Sequence, residues 1–110
     1  MTAGSGHADA IVVAAGASRR MGGIDKVLAP IGGRPLLAWT LEALAAAPGI
    51  DRIVVAIAPE RIEEVAAASW LPSSVVAVVA GGTRRQESVA AGFAALDGPD
   101  DRVVLVHDGA

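Results

Sequence analysis

AIVVAA, residues 10–15, runs directly into GASRRMGGIDK, residues 16–26. Six apolar residues in a row are too few for a buried helix and lack the alternation of a strand with one wet face. They read as a strand covered on both sides, which is the mark of a parallel sheet. The loop that follows combines Gly16, Gly22 and Gly23 with Arg19, Arg20 and Lys26. Glycines let the backbone approach a phosphate, successive N–H groups form an anion nest, and the cations match a triphosphate's charge. In open parallel sheets ligands bind beyond the carboxyl ends of the strands, so this loop is the leading candidate site. It is not a Walker loop, since GxxxxGK followed by Ser or Thr is absent, and the glycine spacing is wrong for GxGxxG.

Outward from that stretch, strands and helices alternate. Residues 35–47 predict a helix with proline in its first turn, stopped by Pro48-Gly49. Residues 51–58 predict a second strand, and 60–70 a helix with early acidic residues that suit the helix dipole. Residues 75–80 predict a third strand, 85–96 a third helix with Val89, Phe93 and Leu96 on one face, and 102–107 a fourth strand. The expected architecture is α/β: a three-layer, Rossmann-like, mostly parallel sheet with helices on both faces and right-handed crossovers. Residues 1–9 are expected to be a flexible leader, and 10–110 the N-terminal, nucleotide-binding part of a longer domain. That second expectation follows from the end of the chain, which comes just after an apolar fourth strand.

Composition removes several classes of function. The 110 residues carry 9 basic and 12 acidic side chains, a formal charge of −3, with 53% hydrophobic residues and 13 glycines. Such a chain has the material for a real core, unlike a disordered one. No cysteine is present, which excludes disulfide scaffolds, thiolate zinc sites and cysteine nucleophiles. The mildly acidic balance gives no footprint for nucleic acid or anionic membrane. The longest stretch without charge, residues 65–83, holds Pro72, Gly81 and Gly82 and is no membrane span. A cytoplasmic location is the default expectation. Among eight arginines Lys26 is the lone lysine, which singles it out from generic surface cations.

Two further segments sit at carboxyl ends of strands. GGTRRQESV, residues 81–89, sets a double glycine before a helix start, where Ser88 and first-turn N–H groups can meet a polar base edge or an anion. VHDGA, residues 106–110, puts Asp108 at a strand tip, where a carboxylate can hold a divalent metal or accept a ribose hydroxyl. His107 is expected to be a hydrogen-bonded core residue, and Trp39 and Trp70 packing residues.

With AAGxxxRM at residues 14–21, Lys26 shortly beyond, GGxxRxxSV at 81–89 and VHDGA at 106–110, the chain resembles the 2-C-methyl-D-erythritol 4-phosphate cytidylyltransferases from about residue 10 to 110. The resemblance implies a nucleotidyltransferase-type fold, CTP and a small sugar-alcohol phosphate as substrates, Mg²⁺ or another divalent cation, and a homodimer when full length. Carried over residue by residue, it implies that Ala14, Ala15 and Gly16 contact the nucleotide, and that Arg20 and Lys26 steady the triphosphate and the transition state. It likewise implies that Gly81, Gly82 and Ser88 lie on the cytosine side, that Asp108 serves the metal and the ribose, and that Gly109 is the small residue beside it. Asp25 and Val27 flank the lysine where many members have Pro and Gln, and Thr83 stands where an acidic residue is common. Those departures leave room for a sister family such as a ribitol-5-phosphate cytidylyltransferase, and RMGGIDK, residues 20–26, also resembles the loop of molybdenum-cofactor nucleotidyltransferases, a second alternative. A non-catalytic nucleotide-binding fragment is a third, since the family's acceptor-phosphate residues lie beyond position 110.

Overall fold

A computed structural model describes residues 8–15, 20–21, 24–25, 30–96 and 103–108. Strand β1 covers Ala8–Val13, and all six residues are buried. It begins earlier than expected, taking Ala8 and Asp9 from the anticipated leader. The reason is electrostatic as well as apolar. Asp9 is 1% exposed and accepts two hydrogen bonds from Arg52, Nε to Oδ1 at 3.2 Å and one terminal nitrogen to Oδ2 at 2.7 Å.

Two short antiparallel ribbons follow, β2 (Arg20–Met21) with β3 (Ile24–Asp25), and β4 (Pro30–Ile31) with β5 (Arg34–Pro35). The second ribbon turns at Gly32 and Gly33, whose φ values of 60° and 87° suit glycine. Its exposed surface carries a small cluster. Arg34 lies 3.9 Å over the Trp39 ring, and Trp39 donates to the Ile31 carbonyl at 2.7 Å. Glu42 pairs with Arg34 at 2.9 Å, and that hydrogen bond holds its carboxyl below the ordinary value. Trp39 is a packing residue as expected, but at 41% exposed it packs on this surface ribbon and not in the core.

Helix α1, Leu36–Ala46, starts after Pro35 and buries Leu37, Ala38 and Leu41, an i, i+1, i+4 stripe. Strand β6 (Ile50–Ile57) is followed by a 3-10 turn at Pro59–Arg61 and by α2, Ile62–Ala66. This helix ends four residues before the expected Trp70. Val65 anchors it in the core, and at ~100° per residue Trp70 and Leu71 would point ~140° and ~120° away from Val65 in a continued helix. Turns closed by Ala68 N–H to Val65 and Leu71 N–H to Ala68 instead bring both side chains onto the core. Strand β7 is Val75–Ala80, α3 is Arg85–Ala95 and β8 is Val103–Asp108.

Four of these strands form one parallel sheet in the order β7-β6-β1-β8. Two core clusters fill the spaces above and below it. On one face Ala10, Val12, Ile53, Val55 and Ile57 meet Leu37, Leu41 and Val65. On the other Ile11, Val13 and Val54 meet Leu96, with Val89 packed alongside. The three-layer expectation therefore holds for the described residues. Phe93, however, is 51% exposed, because α3 turns Ser88 and Gly92 toward the sheet instead. A β-carbon on Gly92 would stand 2.5 Å from Ile11 Cγ2. Gly92→Ala gains up to ~1 kcal/mol of helix propensity but overpacks a buried contact at a cost of ~1–3 kcal/mol. A net loss of stability in urea unfolding is the expected result.

Candidate functional site

Within the sheet the chain moves outward from β1 to β6 to β7, then crosses back to β8 on the far side of β1. The direction reverses between β1 and β8, and a crevice opens beyond the carboxyl ends at such a switch point. Register places Val13, the last residue of β1, beside Asp108, the last of β8. Ala14 and Ala15 continue from β1, are nearly fully buried, and are tied to β6 by the Ala14 N–H to Ala56 bond at 2.8 Å.

The Gly81-Gly82 turn closes the next side. Gly81 N–H donates to the Ile57 carbonyl at 2.8 Å, which keeps the turn against the sheet after β7 has ended. An added β-carbon there would lie 2.6 Å from Ser88 Oγ and 2.7 Å from the Ala15 β-carbon. Only glycine lets these three residues meet. A side chain on Gly82 would collide with Glu87. Ser88 is fully buried and its Oγ accepts the Gly82 N–H at 3.1 Å. The sequence lets Ser88 meet a base edge or an anion, and here its hydroxyl oxygen also holds the shape of the turn from within. Glu87 Oε1 accepts from the Arg84 N–H at 3.1 Å and from the Thr83 hydroxyl at 3.3 Å. Thr83, one of the departures noted above, thus joins the cap of α3.

Asp108 carries the local charge. Its side chain is 49% exposed, and Arg85 Nε donates to Oδ1 at 3.3 Å. No group of three or more His, Asp or Glu side chains able to hold a metal occurs among the described residues. One exposed carboxylate nevertheless fits Mg²⁺, which is commonly held by one or two carboxylates plus substrate phosphates. His107 is exposed, and its Nδ1 donates to the Asp108 carbonyl at 2.6 Å. It is hydrogen-bonded as expected but lies outside the core.

Of the expected site residues, Ala14, Ala15, Gly81, Gly82, Ser88 and Asp108 are assembled around the ends of β1, β7 and β8. Arg20 lies in β2, its backbone paired with Asp25. Gly16, Lys26 and Gly109 lie outside the described residues. Arg85 was not singled out from the sequence. The available signal was the arginine of GGxxRxxSV, which falls at position 85.

The family model for 2-C-methyl-D-erythritol 4-phosphate cytidylyltransferase (IspD) matches residues 8–110. The chain belongs to this family. A cytidylyltransferase of that name from Synechococcus sp. is 48% identical over 101 residues, spanning 91% of this chain and 45% of the relative. Another, from Dehalococcoides mccartyi, is 43% identical over 103 residues, spanning 92% and 44%. Among solved structures, 4-diphosphocytidyl-2C-methyl-D-erythritol synthase from Anaerococcus prevotii superposes with a TM-score of 0.68 at 27% identity, over 94% of this chain and 44% of that one. The chain therefore spans under half the length of the curated IspD relatives it matches. Its α/β architecture is that of the IspD nucleotidyltransferases. No helix among the described residues is long and apolar enough to cross a membrane.

Proposed function

We propose that the protein containing this chain transfers a cytidylyl group from CTP to 2-C-methyl-D-erythritol 4-phosphate and releases pyrophosphate. The match to the IspD family over residues 8–110 carries this reading. The clustering of Ala14, Ala15, Gly81, Gly82 and Asp108 at the switch point supports it. In the reaction a phosphate oxygen of the acceptor attacks the α-phosphorus of CTP. The new P–O bond forms as the bond to the β-phosphate bridge breaks, and the electron pair leaves with pyrophosphate. Such chemistry depends on positioning and charge stabilisation more than on a protein nucleophile.

The residues divide the work by place. Ala14, Ala15 and Gly16 bring backbone close to the nucleotide, and the Gly81-Gly82 turn, shaped by Ser88, faces the cytosine. Arg20 and Lys26 oppose the growing charge on the triphosphate, while Asp108, with Gly109 beside it, takes the ribose and a divalent cation. When bound, Mg²⁺ neutralises phosphate charge. The enzyme acts in the cytoplasm as a homodimer, with no nucleic acid or membrane partner.

Pyrophosphate release by the full-length protein tests the reading. CTP with methylerythritol phosphate should give release, and ribitol 5-phosphate or molybdopterin should give little. Preference for either of the latter would overturn the acceptor assignment. Asp108→Asn keeps shape and removes charge, so the activity-versus-Mg²⁺ curve should move to about tenfold higher concentration, the low end for losing a partner at a metal site. An unchanged curve would remove the metal role.

A further inference from the structure

The pair between Arg85 and Asp108 is not explained by stability. Both side chains are about half exposed, at 56% and 49%, and exposed ion pairs contribute little. Arg84 and Arg85 also begin α3, where the partial positive charge of the helix end disfavours cations. Glu87 in the first turn offsets part of that cost by folding back over Thr83 and Arg84. What the pair does achieve is spatial. It links the first residue of α3 to the last residue of β8, 23 positions later, at the point where β8 lies beside the end of β1.

We propose that Arg85 is a positioning residue that holds the Asp108 carboxylate at the switch point and competes with a divalent cation for it. The inference rests on the metal role given to Asp108 above. The guanidinium Nε donates to Oδ1 at 3.3 Å, longer than the ~2.7–2.9 Å of a strong charge-assisted bond. A contact of that length in solvent exchanges readily, so a cation arriving with nucleotide phosphates can displace it. Until then the carboxylate stays neutralised, and the mouth of the crevice holds a cation beside its anion instead of an isolated negative charge. Arg85 thereby sets the metal concentration at which the nucleotide complex assembles.

The test uses the full-length enzyme with CTP at fixed concentration and Mn²⁺ as probe, its free form read by electron paramagnetic resonance. Arg85→Gln should lower the half-saturating Mn²⁺ about threefold, the scale of an exposed ion pair. Arg85→Lys, which keeps the charge, should stay near wild type. In an Asp108→Asn background Arg85→Gln should produce no further shift. An unchanged or raised half-saturation in Arg85→Gln, with Asp108→Asn still weakening Mn²⁺, would overturn the role of Arg85 and leave the metal assignment standing. If Asp108→Asn itself left the titration unchanged, the metal assignment would fail and this inference with it. Thermal midpoints of the variants check that the exposed substitutions preserve the fold.

Discussion

Arg52→Leu should destabilise the protein by about 3–5 kcal/mol, the cost of removing one partner from a buried ion pair. Asp9 sits in register with Arg52 on adjacent strands, and its side chain is 1% exposed against 31% for the arginine. The guanidinium reaches in and makes two hydrogen bonds to the carboxylate. Without it a charge remains buried on the face of the sheet that Ile11 and Val54 occupy. Asp9→Leu combined with Arg52→Leu should recover most of the loss, since an apolar pair of similar volume is often neutral or stabilising there. Urea unfolding of the two variants decides it. A shift below ~1 kcal/mol for Arg52→Leu would mean that the carboxylate finds water or protonates at little cost. The pair lies at the opposite end of the strands from the crevice, so turnover per folded molecule should stay close to wild type.

Lys26→Ala in the full-length enzyme should cut turnover by at least ~10²-fold, in line with losing a charged contact made as the transition state forms. Lys26 directly follows β3 in the sequence, and it is the chain's lone lysine. Lys26→Arg should also perform poorly, because a planar, weakly hydrated guanidinium does not replace a compact ammonium as a point charge on phosphate. Steady-state kinetics at saturating CTP and acceptor provide the measurement. Activity within a few-fold of wild type would remove Lys26 from the chemistry.

Much of the fold was legible because the two central strands, β1 and β6, are covered on both faces along most of their length. Residues 53–57 are wholly buried, as are residues 10–13 of β1, and such segments must be written as unbroken apolar runs. Helix α1 was equally plain, with Pro35 before it and Pro48-Gly49 after it. The end of α2 was not. Ala66, Ala67 and Ala68 are good helix formers and signal no stop, and the break comes from the gain in burying Trp70 and Leu71. Phe93 misled for a related reason. Its spacing fits an apolar face, but the smaller Gly92 lets α3 sit closer to Ile11, and close approach decides which side turns inward.

The candidate site divides the same way. By itself the sequence determined the order of the four sheet strands and three helices, the glycine turn after β7, and the residue types gathered at the strand ends, because period, backbone freedom and charge are local properties. It also determined the family, through motifs spread from residue 14 to residue 110. Only the tertiary structure decided that β8 pairs with β1, which sets Asp108 beside Val13 and makes the crevice. It alone decided that Ser88 serves the turn from inside, that Asp9 meets Arg52 across 43 positions, and that Arg85 reaches Asp108. Strand order and register are settled by how all the apolar faces close together, so contacts between distant polar residues are consequences of packing that no local pattern encodes.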